Sequence, residues 1–290
     1  MSWFITEDVG KFLAEAGEFL RAEPVRNSVV LTATENLLLK GAAQSPPAAT
    51  QTRAPGPDRP LFGWWRPPAG PDPDPVSAVF MHTPEFPVQL SRMSTHVAAE
   101  LAIDLAAAGR LLPGVNAGRE TADAFAAAWR DRNGDIVTVH RRMRLFRLGE
   151  LIRPEPGPEG AARLAARQDR DLLTEWFDAF VRDVGDPPGQ DHGAAVDERL
   201  SYGGITVWAA GGAPVSMAGV TRSVAGMVRV GPSTRPPRCA GAATRARLPR
   251  PSARWRETSA SGRSCSSPTW LIPRVTPSTS ASATARWRIR

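Results

Sequence analysis

The sequence predicts an α+β fold: a mixed, mostly antiparallel sheet flanked by helices, built as two tandem domains, the second cut short and followed by a tail without regular structure. Three observations carry this. Segments with apolar residues at helical spacing alternate with short runs of strand character, three of which follow one another between residues 205 and 230. The proline-rich stretch "RPEPGPEG" (153–160) divides the chain into two patterned halves. Beyond Pro232 the pattern stops, and so does the balance of charge. Residues 1–232 hold 24 Lys and Arg against 28 Asp and Glu, whereas residues 233–290 hold 12 Arg, no Lys and Glu257 as the single acid.

The first domain is expected over residues 1–152. A helix opens after Thr6, read as its N-cap, with Asp8 in the first turn and Val9, Phe12, Leu13, Ala16, Phe19 and Leu20 at helical spacing. A second helix follows Pro24 and carries Val29, Val30, Ala33, Leu37 and Leu38. Breakers at 41–60 and 66–75 read as loops around a strand, "LFGWW". "VSAVFMH" (76–82) and "FPVQLS" are further strands, and residues 95–110 form an Ala-rich helix with Val97, Leu101 and Leu105 on one side. "LPGVNAG" reads as a turn, "RETADAFAAAWRDR" as a helix, and 135–148 as a strand with Val137, Val139, Met143 and Leu145 on one face. Glycines before a helix are a weak phosphate signal, so "LPGVNAGRETAD" is taken as a structural connection.

After the linker at 153–160 the pattern restarts, and a second domain is expected over 161–232. "ARLAAR" (162–167) is a strand, Asp169 an N-cap for a helix through Leu172, Leu173, Trp176, Phe177, Phe180 and Val181, and 194–200 a shorter helix. "ITVWA" (205–209), "PVSMAGV" (214–220) and "GMVRV" (226–230) are strands, the first two joined by "AGGA" as an antiparallel hairpin.

Several function classes lose support here. No run of eighteen apolar residues exists, so no membrane partner is expected. The start, "MSWFITEDVGKFLAEAG", is acidic where a secretory signal is basic, and a cytoplasmic protein is the default. Both cysteines, Cys239 and Cys265, fall in the tail and make neither a metal site nor a disulfide framework. His82, His96, His140 and His192 lack ligand spacing, so no metal is expected, and each reads as a surface or capping residue. Asp183, Asp186, Asp191, Asp197 and Glu198 could attract a cationic amine, but a solvated face explains them as well.

The run of strand, helix, helix and three strands, with "WAAGGAPVSMAG" and "GMVRVGP", resembles the first half of a GNAT-superfamily N-acetyltransferase domain. A strand–helix–strand domain preceding it resembles the tandem bacterial members, whose N-terminal half keeps the fold without an acetyl-CoA loop; no Arg-Gly-x-Gly occurs in residues 1–150. The resemblance implies that acetyl-CoA lies along the fourth strand, whose remnant here is Val230, Gly231 and Pro232. It also implies an Arg-Gly-x-Gly loop next, holding the pyrophosphate on the amides of a helix N-terminus. Cys239, Ala240, Gly241, Ala242 and Ala243 stand there instead.

Loss of one base between the codons for Pro232 and Ser233 accounts for the break. Displaced by that base, "STRPPRCAGAATR" (233–245) permits V-Y-T-P-P-E-V-R-G-R-G-Y-A, the absent loop in its place. The same shift applied to 265–286 permits a fifth strand and an Asn- and Tyr-bearing helix ending in an I-G-Y turn. The Tyr that the family uses to protonate the departing thiolate would fall where Thr279 stands, and Tyr202, the only tyrosine, lies elsewhere. Out-of-frame codons rich in G and C emit Arg, Ala, Pro, Ser and Thr without selection. Trp255, Trp270 and Trp287 among arginines therefore read as accidents rather than stacking platforms, and nucleic acid is a disfavoured partner.

The expectation is an N-acetyltransferase by descent, moving acetyl from acetyl-CoA to a primary amine of a small molecule or protein. The amine attacks the thioester while backbone N–H groups of the central strand polarise the carbonyl. The chain as written is expected to be impaired, with no assignable catalytic residue. Two other classes stay open: a non-enzymatic binding module, or a nucleic-acid-associated protein working through the Arg-rich tail.

Overall fold

The computed structural model describes residues 3–44, 59–67, 75–150, 155–184, 191–234 and 283–289. In chain order the elements are β1 (Trp3–Thr6), α1 (Val9–Ala22), α2 (Ser28–Gln44), β2 (Leu61–Trp65), β3 (Ala78–His82), β4 (Val88–Leu90), α3 (Thr95–Ala107), β5 (Gly114–Gly118), α4 (Arg119–Asn133) and β6 (Val137–Arg144). There follow β7 (Ala161–Leu164), α5 (Arg170–Val184), α6 (His192–Ser201), β8 (Ile205–Ala210), β9 (Ala213–Val220), β10 (Val230–Thr234) and β11 (Ala283–Ile289). The α+β class is as the sequence predicts. The chain divides into two compact units: β1 to β6, α1 to α4 and β11 make the first; β7 to β10 with α5 and α6 make the second.

The first unit holds a seven-stranded sheet in the order β1-β2-β3-β4-β5-β11-β6. Its pairs are antiparallel except β4 with β5, which run parallel. Alternation along the strands sends Leu61, Ala78, Phe80, Val88, Leu90, Val115 and Ala117 to one face, where α3 and α4 bury Val97, Leu101, Leu105, Phe125 and Trp129 against them. The other face offers Phe62, Trp64, Val79 and Met81 to Phe12, Ala16 and Leu20 of α1 and to Val30 and Leu31 of α2. Helix α1 begins where the Asp8 carboxylate accepts from the amides of Gly10 (2.7 Å) and Lys11 (3.1 Å). Thr6 is therefore not the cap: it ends β1, a strand the sequence reading missed because "WFIT" is too short to show a period. Helix α4 stops at Gly134, which takes φ 74° and closes onto the Arg130 carbonyl.

Three further expectations change in this unit. "GVNAG" is a strand, β5, and not a turn; its Gly and Asn content, directly after Pro113, hides a period of two in which Val115 and Ala117 face the core. The register between β6 and β11 shifts between Arg286 and Trp287, so Val139 and Met143 lie on opposite faces and not on one. The tail, expected to lack regular structure, supplies β11, which fills the gap between β5 and β6. Trp287, read as an accident, packs on the α3–α4 side of the core with Ile289. Trp255 and Trp270 lie outside the described residues.

The second unit is a four-stranded antiparallel sheet in the order β10-β9-β8-β7. Leu173, Trp176 and Phe177 of α5 and Val196 of α6 bury against Ile205, Val207 and Met217. Gly211 and Gly212, at φ 57° and 78°, make the hairpin turn between β8 and β9. Asp169 does not cap α5 as expected; from a preceding 3-10 turn it accepts from the Ala166 amide and pairs with Arg163. The last strand also starts later than expected. Ala225 and Gly226 take positive φ in a tight turn closed by Val224 and Met227, so Met227 and Val228 precede β10 and do not belong to it.

The two units share a plan. Strand, two helices and three strands occur in the first as β1-α1-α2-β2-β3-β4 and in the second as β7-α5-α6-β8-β9-β10, with the strands side by side in the same order. The first unit continues from there into α3, β5, α4 and β6; no counterpart occurs among the described residues of the second.

Candidate functional site

One transverse row of the first unit's sheet changes character at β4. Read across β2, β3, β4, β5, β11 and β6 it is Phe62, Met81, Gln89, Asn116, Arg286 and Arg141, each in register with the next. Phe62 and Met81 lie under α1 and α2. From Gln89 onward the same face turns polar, while the opposite face stays apolar from β2 to β5. A neighbouring row sets Arg288 between Gly114 and Thr138. Gly114 and Gly118, two residues either side of Asn116, bring no side chains to this face.

Within the row the carboxamides are linked. Asn116 Nδ2 donates to Gln89 Oε1 at 3.0 Å, and Gln89 Nε2 donates to the Pro87 carbonyl at 3.4 Å. Asn116 is only 9% exposed, and its Oδ1 has no hydrogen-bond partner among the described residues. A buried acceptor left unpaired costs about 1–3 kcal/mol.

The β4–β5 pairing is short. Val88 faces Val115 and Gln89 faces Asn116, and there the parallel ladder ends. The chain leaving β4 is tied on both sides: the Val79 amide donates to the Ser91 hydroxyl at 2.9 Å, and the Thr121 hydroxyl of α4 donates to the Met93 carbonyl at 3.3 Å. Ser94 then caps α3, its hydroxyl accepting from the Val97 amide.

The histidines are dispersed. His82, at the end of β3, is 2% exposed with neither ring nitrogen paired among the described residues. Burial first, and the Arg110 guanidinium second, hold its pKa down at about 4. Glu7 lies between Arg59 (3.3 Å) and Arg110 (3.7 Å). His192, at the start of α6, places Nδ1 2.6 Å from Asp178 Oδ1 on α5, a pairing that the sequence reading missed because fourteen residues separate the partners. Among the described residues no group of three His, Cys, Asp or Glu could hold a metal ion, and no helix is long and apolar enough to cross a membrane.

The acidic residues have local tasks. Asp197 is bidentate with Arg170, at 2.7 and 2.9 Å, and Asp191 caps α6. Asp186 lies outside the described residues. Tyr202 donates its hydroxyl to the Val220 carbonyl at 2.9 Å, the Arg222 guanidinium lies 4.2 Å above its ring, and burial raises its pKa. Val230, Gly231 and Pro232 fall on β10, at the sheet edge, and pairing with β9 continues through Ser233 and Thr234. Cys239 to Ala243, Cys265 and Thr279 lie outside the described residues. The row containing Gln89, Asn116 and Arg141 went unread in the sequence, because it exists only once four strands are in register. The chain matches no family model, no curated protein and no solved structure.

Proposed function

We propose that this chain descends from an acetyl-CoA-dependent N-acetyltransferase acting on a primary amine, and that as written it is impaired in that reaction. The observation that carries the reading is the β4–β5 pair. In a sheet otherwise antiparallel, two strands run parallel for two residue pairs and then part, with a helix start just beyond. The recurrence of the strand–helix–helix–strand order up to β10 supports descent from the same plan in both units.

The residues at hand do not fit the cofactor's phosphates. A phosphate cradle needs bare backbone amides at a helix N-terminus, with no side chains in the way. After β4 stand Ser91, Arg92, Met93 and Ser94, none of them glycine, and Ser94 has already taken the Val97 amide. No catalytic step is therefore assigned to this chain.

The test restores one base between codons 232 and 233 and compares the repaired protein with the present one by calorimetric titration of acetyl-CoA. The repaired protein is expected to bind in the micromolar range and the present chain to show no saturable heat. A repaired protein that does not bind removes the ancestry. Micromolar binding by the present chain removes the impairment and leaves the ancestry standing.

A further inference from the structure

We propose that the second unit binds a phosphate monoester between the end of α6 and the β9–β10 connection, through the guanidinium groups of Arg199, Arg222 and Arg229. The site stands whether or not the acyl-transfer reading holds, since it uses none of Val230, Gly231 and Pro232.

Local contacts bring the three side chains together. Tyr202, just past α6, donates its hydroxyl to the Val220 carbonyl at 2.9 Å and so ties the helix end to the end of β9. The Arg222 guanidinium lies 4.2 Å above the Tyr202 ring and donates through Nη2 to the Ser201 hydroxyl at 3.2 Å. Arg229 stands opposite Thr221 across the connection: its amide donates to Thr221 Oγ1 and its carbonyl accepts from the Thr221 amide, both at 3.0 Å. Arg199 is close enough to act on both Tyr202 and Arg229. Burial raises the Tyr202 pKa, and the charges of Arg199 and Arg222 oppose that rise. The Arg229 pKa is lowered first by the protein around its guanidinium and then by Arg199. As a residue Arg229 is nonetheless exposed, which leaves it within reach of a ligand.

The charge is unmatched. Arg163 and Arg170 of the same unit each meet a carboxylate at 2.7 Å, whereas Arg199, Arg222 and Arg229 form no ion pair among the described residues. Asp197, two residues before Arg199, is taken by Arg170. Three positive charges against the one negative charge of Glu198, the acid that acts on Tyr202, leave +2. Like charges held together repel, and a bound anion turns that repulsion into attraction. A phosphate monoester carries about −1.5 to −2 at pH 7 and offers three acceptor oxygens. It matches this charge where a singly charged carboxylate does not.

The donors are also unspent. Arg199 Nη1 donates to the Ala195 carbonyl at 2.9 Å, while the Nε atoms of Arg199 and Arg222 are shut off from solvent without a partner. Arg199 Nη2 and Arg222 Nη1 make no hydrogen bond among the described residues and are not shut off in that way. The Arg229 side chain makes none either. Planar guanidinium forks left open like this suit phosphate oxygens.

Calorimetric titration of the full chain with glycerol 3-phosphate at low salt tests the site. Saturable binding is expected, at least tenfold tighter than for acetate or succinate. Arg229→Gln should weaken it about tenfold, the loss of one charge-assisted pair, and should stay folded because only the backbone of Arg229 is held. Arg222→Gln should weaken it as well; melting temperatures of the unliganded variants establish folding, and Arg229→Gln carries the test if Arg222→Gln fails to fold. Arg132→Gln removes the same charge from the exposed side of α4 in the first unit and should change affinity less than twofold. Sedimentation with phosphatidate-containing vesicles separates the sources of the group. Heat with co-sedimentation assigns a lipid headgroup, and heat without it assigns a soluble ester. Absence of saturable heat overturns the proposal, whether or not the vesicles retain the protein. So does succinate binding as tightly as glycerol 3-phosphate, an unchanged affinity in Arg229→Gln, or an equal loss in Arg132→Gln.

Discussion

Gly114 lies so close beneath the carbonyl of Trp287 that a Cβ on it would run into that oxygen. The glycine is fixed by the approach of β11 and not by a turn: it is the first residue of β5, opposite Arg288, and its φ is not left-handed. A strand that enters the sheet from far along the chain thus imposes its demand on a residue of the first unit.

Gly114→Ala is therefore expected to force β11 away from β5. Overpacking of this kind costs about 1–3 kcal/mol. Hydrogen exchange should report it selectively, with amides of 284–289 losing protection while α3 and α4 keep theirs. Unchanged protection of β11 together with unchanged stability would show that the close approach is not a real constraint.

Trp287 holds the same strand through its side chain. The indole Nε1 donates to Asp123 Oδ1 at 3.2 Å, and the ring packs against the α3–α4 side of the core. Trp287→Ala should destabilise by about 2–4 kcal/mol, somewhat less than a fully enclosed Trp. Trp287→Phe keeps most of the packing and should lose about 1 kcal/mol, the worth of the hydrogen bond. A double-mutant cycle with Asp123→Ala isolates that bond. A coupling indistinguishable from zero would mean that the indole and the carboxylate are neighbours only.

His82 ties stability to pH. Its folded pKa is depressed to about 4, against 6.5 in the unfolded chain. Above pH 6.5 the imidazole is neutral in both states and contributes no slope. Between 6.5 and 4 the unfolded chain takes up a proton that the fold refuses, so stability falls as pH falls. The loss integrates to about 3 kcal/mol. His82→Leu should flatten this interval in urea titrations while leaving stability at pH 7 within about 1 kcal/mol, since neither ring nitrogen gives up a hydrogen bond. An equally steep acid slope in His82→Leu would place its origin elsewhere.

Much of the fold was legible because helical periods persist over many residues. Val97, Leu101 and Leu105 mark the inner face of α3, and all three are buried. The "AGGA" turn between β8 and β9 is equally local, since its glycines take the positive φ that the hairpin needs. What escaped notice was non-local. Strand β5 is five residues of turn-like composition, and its identity rests on β4 and β11 pairing either side of it. The end of the tail has the period of a strand in Trp287 and Ile289, yet Arg and Ser on every side gave that signal no weight. The candidate site suffered most. Gln89, Asn116 and Arg141 are spread over fifty-odd positions in three elements, and neither carboxamides nor a lone Arg form a motif. Only the sheet register brings them into one row.

The second unit depends on an ion pair that acid should dissolve. Arg163 on β7 meets both Asp169 oxygens at 2.7 Å, and one of those oxygens also accepts from the Ala166 amide at 2.8 Å. The Arg163 guanidinium first, and the Ala166 amide with it, hold the Asp169 carboxyl below the usual carboxylate range, against the opposing effect of burial. A depressed carboxylate contributes stability above its unfolded pKa and loses it as pH falls through the folded value. Asp169→Asn keeps the shape and removes the charge, so it should lower the melting temperature at pH 7. The gap between variant and parent should close as the parent is taken into acid, where its own carboxylate is protonated. Because Asp169 fixes the turn that leads from β7 into α5, the loss should appear first as exchange of the amides around Ala166 and only then in α5. Parallel melting curves at every pH would show that the charge of Asp169 does not matter and that its side chain acts as a neutral acceptor alone.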